Sequence, residues 1–183
     1  MATTNYVSAG KPKVGGAIYV APTGTDLPED TTTTLDTAFK CLGYCSEDGV
    51  TNSNTPESED IKAWGGDTVL SIQTSKDDTY QFKLIEGLNV DVLKTVYGSD
   101  NVTGTLTTGI TVKANSTEIT ALAWVLEMIM RDGAVKRIVI PNGKISELGD
   151  ITYNDSEAFG YEVTVKALPD TDGNTHYEYI KKA

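Results

Sequence analysis

Apolar and polar residues alternate with a period of two over much of this chain, and that alternation predicts strands. Ala17 to Ala21 is the first candidate. Further on, Leu70 and Ile72 alternate with Val69, Ser71 and Gln73, and Tyr80, Phe82 and Leu84 alternate with Gln81 and Lys83. One apolar and one polar face is the signature of a half-buried antiparallel sheet. Gly65-Gly66-Asp67 and Lys76-Asp77-Asp78 punctuate these runs, so the pattern predicts a pair of hairpins built from Glu57 to Trp64, Thr68 to Thr74 and Thr79 to Glu86. Upstream, Leu42-Gly43-Tyr44 predicts a short strand running into a Ser-Glu-Asp-Gly turn, where Gly49 can take the positive φ of a tight reversal. One turn of helix fits Leu35 to Phe39. Thr103 to Lys113 reads as a threonine-rich strand, and Tyr161 to Ala167 and His176 to Ile180 as two more on either side of a Pro169 to Asn174 turn.

Helical periodicity is clear in one place. Residues 89 to 97 carry Asn89 as N-cap, Asp91 in the first turn, Lys94 toward the end and Gly98 as stop signal, with Val90, Leu93 and Val96 or Tyr97 on one stripe. Ala121 to Met130, ALAWVLEMIM, is apolar almost throughout and suits helix or strand by propensity. The Arg131-Asp132-Gly133 hairpin signal and the Val- and Ile-rich run Ala134 to Ile140 decide for a strand. In that strand Trp124, Leu126, Met128 and Met130 share one face, and Val125 and Ile129 flank Glu127 on the other. A strand buried on both faces needs protein on both sides, which makes Trp124, Val125, Ile129 and Ile138 candidates for a subunit interface.

Residues 1–14 are polar and read as an extended arm, leaving 15–183 as a single β domain. The loop Pro22 to Thr34, with four successive threonines, carries nothing to bury. At 183 residues and 39% hydrophobic content the chain can bury a core. A formal charge of −11 argues against grip on nucleic acid through phosphate neutralisation. No apolar run reaches the roughly 18 residues of a membrane helix, and the first residues lack the pattern of an export signal, so a cytoplasmic origin and no membrane are expected.

Candidate chemistry is thin, and no catalytic role, cofactor or metal is expected. Glu57 and Glu59 are close carboxylates among many, which chance explains. Cys41 and Cys45 lack zinc partners, and in one strand their spacing of roughly 13 Å forbids a bridge, so buried structural thiols are expected. Asp170 to Asn174 has the flavour of a calcium loop but lacks its order and its closing glutamate, which favours a turn. His176, the one histidine, is expected to pack or hydrogen-bond, and Lys136 and Arg137 to pair with acids.

The run FKCLGYCSEDGVTNSNTPESEDIKAWGGD, Phe39 to Asp67, followed by Leu93 to Gly98, Asp100-Asn101-Val102 and Lys136 to Pro141, resembles the major tail (tail tube) proteins of long-tailed, non-contractile bacteriophages of Gram-positive hosts. The resemblance covers roughly residue 14 to 180. It implies a mainly β protein, an antiparallel β-sandwich or barrel with one packed helix, that forms six-membered rings stacked into a tube. It also implies a place in the virion tail after synthesis in the host cytoplasm. The implied partners are further copies of itself, the tape measure, tail terminator and distal tail proteins, and genomic DNA passing through without specific binding. In that frame the polar hairpin face bearing Glu57, Glu59, Ser71, Gln73, Gln81 and Lys83 is the candidate lining of the lumen. The arm and the loops Pro22 to Thr34 and Gly49 to Pro56 are candidate contacts between rings. The competing expectation is an acidic β-sandwich adhesion module.

Overall fold

The computed structural model describes residues 2–13 and 16–182. In chain order they form β1 (Gly10–Pro12), β2 (Ile18–Pro22), β3 (Lys40–Cys41), β4 (Cys45–Lys62), β5 (Thr68–Leu84), α1 (Val90–Tyr97), β6 (Val102–Thr105), β7 (Gly109–Val112), β8 (Leu122–Met130), β9 (Val135–Leu148), β10 (Tyr161–Ala167) and β11 (Tyr177–Lys181). Nine strands make one antiparallel sheet in the order β3-β2-β8-β9-β10-β5-β4, with β1 added to β8 and β11 to β9; β6 and β7 form a separate ribbon. The mainly β architecture with one helix is therefore present. The proposed boundary between residues 14 and 15 lies outside the described residues.

Two cores sit on opposite faces of the sheet. The larger gathers Tyr80, Phe82, Leu84, Trp124, Leu126, Ile138, Ile140, Val163 and Val165 under Val92, Leu93 and Val96 of α1. The helix forms where its caps say: the Asn89 side chain accepts from Asp91 N at 3.0 Å, and Gly98 closes it at φ 91°. The smaller core holds Ala123, Val125 and Val139 beneath Phe39, with Leu27, Leu35, Tyr177 and Tyr179 packed against it.

That second core corrects two expectations. The segment from Pro22 to Thr34 does bury side chains: Pro28 and Thr31 are buried, and Leu27 is half-buried against this core. And the second face of β8 is covered by this same chain, so its apolar character by itself calls for no second subunit. Leu35 to Phe39 is a turn rather than a helix, with Phe39 N donating to Asp36 O at 3.0 Å.

The hairpin region differs most from the pattern read in sequence. β4 and β5 pair as one hairpin of 18 and 17 residues, and Lys76, Asp77 and Asp78 pair with Pro56, Thr55 and Asn54 in mid-strand instead of turning. Asp78 is instead 1% exposed, accepting from Asn52 Nδ2 at 2.8 Å and Thr175 Oγ1 at 2.6 Å, with His176 Nδ1 2.5 Å away. The Ser-Glu-Asp-Gly segment is likewise a bulge within β4, where register jumps from Cys45↔Leu84 to Val50↔Phe82. Leu42 to Tyr44 is a break between β3 and β4, with Gly43 at φ 75° and Glu86 Oε1 accepting from Tyr44 N at 3.0 Å. Cys41 and Cys45 flank that break and are half-buried; burial, with Cys41 and Glu86 adding, pushes the Cys45 thiol up to about 11. Thr103 to Lys113 folds as the β6–β7 ribbon rather than one strand. β9 continues to Leu148, and Pro141 is tolerated there because it falls at an irregularity opposite Leu122 and Trp124.

Candidate functional site

The features that set this protein apart are surfaces, and the β4–β5 hairpin dominates them. At its base Tyr80, Phe82 and Leu84 are buried and anchor β5 between β4 and β10. Beyond the base, every residue from Thr51 to Thr74 is exposed. Tyr80 and Asp78, opposite Asn52 and Asn54, are still buried, so the arm without a core beneath it starts past them and runs along about 8 residues of β4, roughly 26 Å. A two-stranded ribbon in water is marginally stable by itself, so this geometry suits a segment that another molecule covers.

Register and alternation sort its side chains. From Val50↔Phe82 to Glu57↔Ser75 the pairing is regular, and Thr51, Ser53, Thr55, Glu57, Ser75, Asp77, Thr79, Gln81 and Lys83 share the face turned away from the core. Next comes a bulge, because Ser58 pairs with Gln73 and leaves Thr74 unopposed. It shifts the alternation of β5 by one residue. Leu70 and Ile72 therefore join Glu57, Glu59 and Ile61 on the outer face, while Ser71 and Gln73 join Ser58 and Asp60 on the other. Of the six residues read as one polar lining, the structure brings Glu57, Glu59, Gln81 and Lys83 onto one face and leaves Ser71 and Gln73 on the opposite one. A one-residue slip of this kind exchanges faces completely, and nothing in the composition of the Thr74-Ser75 segment announces it.

Toward the base, the outer face is polar and continues across β10. Gln81 Nε2 donates to Glu162 Oε1 at 2.7 Å, and Lys166 Nζ pairs with Asp77 Oδ1 at 2.7 Å. Toward the tip the same face turns apolar, with Ile61, Leu70 and Ile72 about half exposed and Trp64 fully exposed in the Ala63 to Asp67 turn.

The sheet also keeps an unpaired edge: β4 ends the strand order. Long open edges invite pairing with another strand.

The four residues read as interface candidates sit differently. Trp124, Val125 and Ile138 are buried in the two cores, and only Ile129 is partly open, at 36%. Between the two cores, β8 and β9 hold a buried ion pair. Glu127 and Arg137 lie directly opposite each other across the strands and are 1% and 2% exposed. Arg137 Nε donates to Glu127 Oε1 at 2.9 Å, its Nη2 also pairs with that oxygen, and Lys13 Nζ reaches Glu127 Oε2 at 2.7 Å. Arg137 Nη1 donates to the carbonyls of Asp30 at 2.6 Å and Thr33 at 2.8 Å. The Asp30 carboxylate shapes that loop by accepting from Thr32 N at 2.7 Å and Thr33 N at 2.5 Å, bonds that hold its pKa far below the ordinary range. The threonine loop thus presents backbone acceptors to a buried guanidinium, a role its composition conceals. Lys136 pairs with Glu178 at 2.7 Å, as expected for that cation.

Residues 3–183 match the family model described as phage tail tube protein. The chain belongs to the phage tail tube protein family. A search of curated proteins finds no match. As a tail tube protein it is a structural component of the virion tail that assembles with itself and with other tail proteins. The tail tube protein needs surfaces that join copies, and the open β4 edge and the uncovered hairpin are surfaces of that kind.

Proposed function

We propose that this tail tube protein forms six-membered rings that stack into the wall of a hollow tail, a non-catalytic conduit through which the genome leaves the capsid. The observation that carries this reading is the β4–β5 hairpin: an arm with no core beneath it, apolar toward its tip and bordered by an open sheet edge, is explained when neighbouring copies cover it. Pairing the β4 edge with another copy extends the sheet from subunit to subunit, and closing the ring removes the open edges. Obligate interfaces of this sort bury more than about 2,000 Å². The tape measure, tail terminator and distal tail proteins would meet the tube inside and at its ends. Purified at rising concentration and imaged by negative stain, the protein is expected to show six-fold rings or tubes. Particles that stay monomeric across a range of salt would overturn the proposal and favour the adhesion-module reading.

In this assembly the outer face of β4, β5 and β10, from the hairpin base out to Glu59, lines the lumen. Among the residues assigned to that face, Glu57, Glu59, Asp77 and Glu162 outnumber Lys83 and Lys166. A weakly negative, hydroxyl-rich wall repels the DNA backbone and lets it slide, whereas a basic wall would hold phosphates by counterion release. Ser71 and Gln73, on the other face, are no longer part of the proposed lining. Glu57→Lys combined with Glu59→Lys in the virus should leave assembly intact, because exposed charges contribute little to stability, and should slow genome ejection in a salt-dependent way. Ejection at the normal rate from particles carrying both changes would reject this lining.

A further inference from the structure

The large exposed apolar side chains fall mainly into two groups. One is the hairpin tip, Ile61, Trp64, Val69, Leu70 and Ile72; the other, Tyr44, Leu88, Leu106 and Tyr153, surrounds a cleft near the hairpin's base. That cleft has a volume of about 550 Å³ and is lined by Ile85, Gly87, Leu88, Leu106 and Phe159 among others. It is shaped by a specific absence: a Cβ on Gly87 would strike the Phe159 ring, so glycine there lets the aromatic lie against the backbone. Phe159 in turn packs on Tyr153, with ring centroids 5.4 Å apart.

We propose that this cleft is the socket for Trp64 of a second copy of the chain, and that the contact joins successive rings. The inference rests on the tube reading and adds the two surfaces that meet. Its first support is reach. Ile85 follows the last residue of β5, and Trp64 lies beyond its first, so knob and socket sit at opposite ends of one strand of 17 residues. That is a separation of about 50 Å, and a protomer cannot fill its own socket. A second copy displaced by one hairpin length along the strand direction can.

The second support is symmetry. Knob and socket are different surfaces, so the contact is heterologous, and a translation-like displacement leaves a free knob at one end and a free socket at the other. Such contacts propagate without closing. The third is chemistry. An indole buries roughly 150–250 Å² when it enters an apolar cleft. Charge does not assist the contact, since Glu57, Glu59, Asp60 and Asp67 outnumber Lys62 on the hairpin and Glu86 lies in the cleft lining, so apolar burial carries it. Each contact is small, and one copy of it binds weakly. Six in parallel around a ring bind far more tightly than one through effective concentration, so stacking becomes cooperative and single protomers remain soluble.

The test pairs Trp64→Ser with Leu106→Glu, one change on each surface, both at exposed positions. Both variants should unfold at the wild-type temperature and still form rings. Their critical concentration for stacking should rise about ten-fold or more, the effect of losing an aromatic anchor. Benzoylphenylalanine in place of Trp64 should crosslink, in stacked rings, to peptides containing Leu88, Leu106 or Phe159 of another copy. Stacking at the wild-type concentration by either variant, or crosslinks confined to other segments, overturns the socket while leaving the tube reading in place. Failure of the unmodified protein to form any stacked ring overturns both.

Discussion

Replacing Trp124 with alanine lowers the stability of the protomer by about 3–5 kcal/mol, the range for truncating a buried aromatic. The indole is 1% exposed in the larger core, meets Phe82 edge-on with ring centroids 5.8 Å apart, and donates from Nε1 to Gly143 O at 3.0 Å. Gly143 is cut to fit it: a Cβ there would lie 2.6 Å from Trp124 Cδ1 and 2.9 Å from Val165 Cγ1. Trp124→Ala therefore opens a cavity between β8, β9 and β10 and removes a buried hydrogen bond to the Gly143 carbonyl in one change. For a chain of this size the midpoint of thermal unfolding should fall by roughly 10 °C or more. Trp124→Phe keeps most of the volume and loses the hydrogen bond, so it should cost less. The other tryptophan, Trp64, is fully exposed, so Trp64→Phe leaves Trp124 as the sole, buried fluorescence reporter of unfolding. An unfolding midpoint for Trp124→Ala within about 2 °C of wild type would mean that this face of β8 is not core.

Trp124 was legible in the sequence because a hairpin signal followed its apolar run, and local signals of that kind carried well. The Asn89 cap and Gly98 stop bracket α1, and the alternation of Tyr80, Phe82 and Leu84 marks β5 where it is buried. Signals failed where long-range contacts override local chemistry. Lys76-Asp77-Asp78 looks like a polar turn, yet Asp78 points inward because Asn52 and the distant pair Thr175-His176 supply its partners. The bulge at Thr74 reverses the faces of Leu70, Ser71, Ile72 and Gln73, and periodicity counted along one strand cannot register a slip that only its partner reveals. The doubly apolar β8 calls for cover on both faces, and residues between Pro22 and Phe39 of this same chain supply it on the second. Of the candidate surfaces, the polar face near the hairpin base was therefore visible in outline, while the apolar tip and its counterpart around Leu106 became visible only once register and burial were known.

Removing Arg137 should be as costly as removing Trp124, for an electrostatic reason. Arg137→Leu leaves Glu127 buried between two cores with only Lys13, itself partly exposed, and leaves the carbonyls of Asp30 and Thr33 without their shared donor. Breaking a buried pair by deleting one partner costs about 3–5 kcal/mol, much of it the uncompensated charge that remains. Changing both residues, Glu127→Leu with Arg137→Leu, should recover a large part of that loss, because the charge is gone and the strands stay packed; the loop carbonyls account for what is not recovered. The pair also sets an acid limit. Burial opposes ionisation of Glu127, but hydrogen bonds from Lys13 and Arg137 and their positive charges outweigh it, and the folded pKa lies below the usual 4.5. A carboxyl with a depressed folded pKa adds stability above its unfolded pKa and loses it as pH falls through the folded value. Wild-type stability should therefore decline on acidification below about pH 4.5, and Glu127→Gln should decline less steeply over the same interval. Chemical denaturation at pH 7 and across pH 3–5 measures both effects. Equal pH slopes for wild type and Glu127→Gln, or a double leucine variant no more stable than Arg137→Leu, would show that this pair does not govern the junction of arm, sheet and threonine loop.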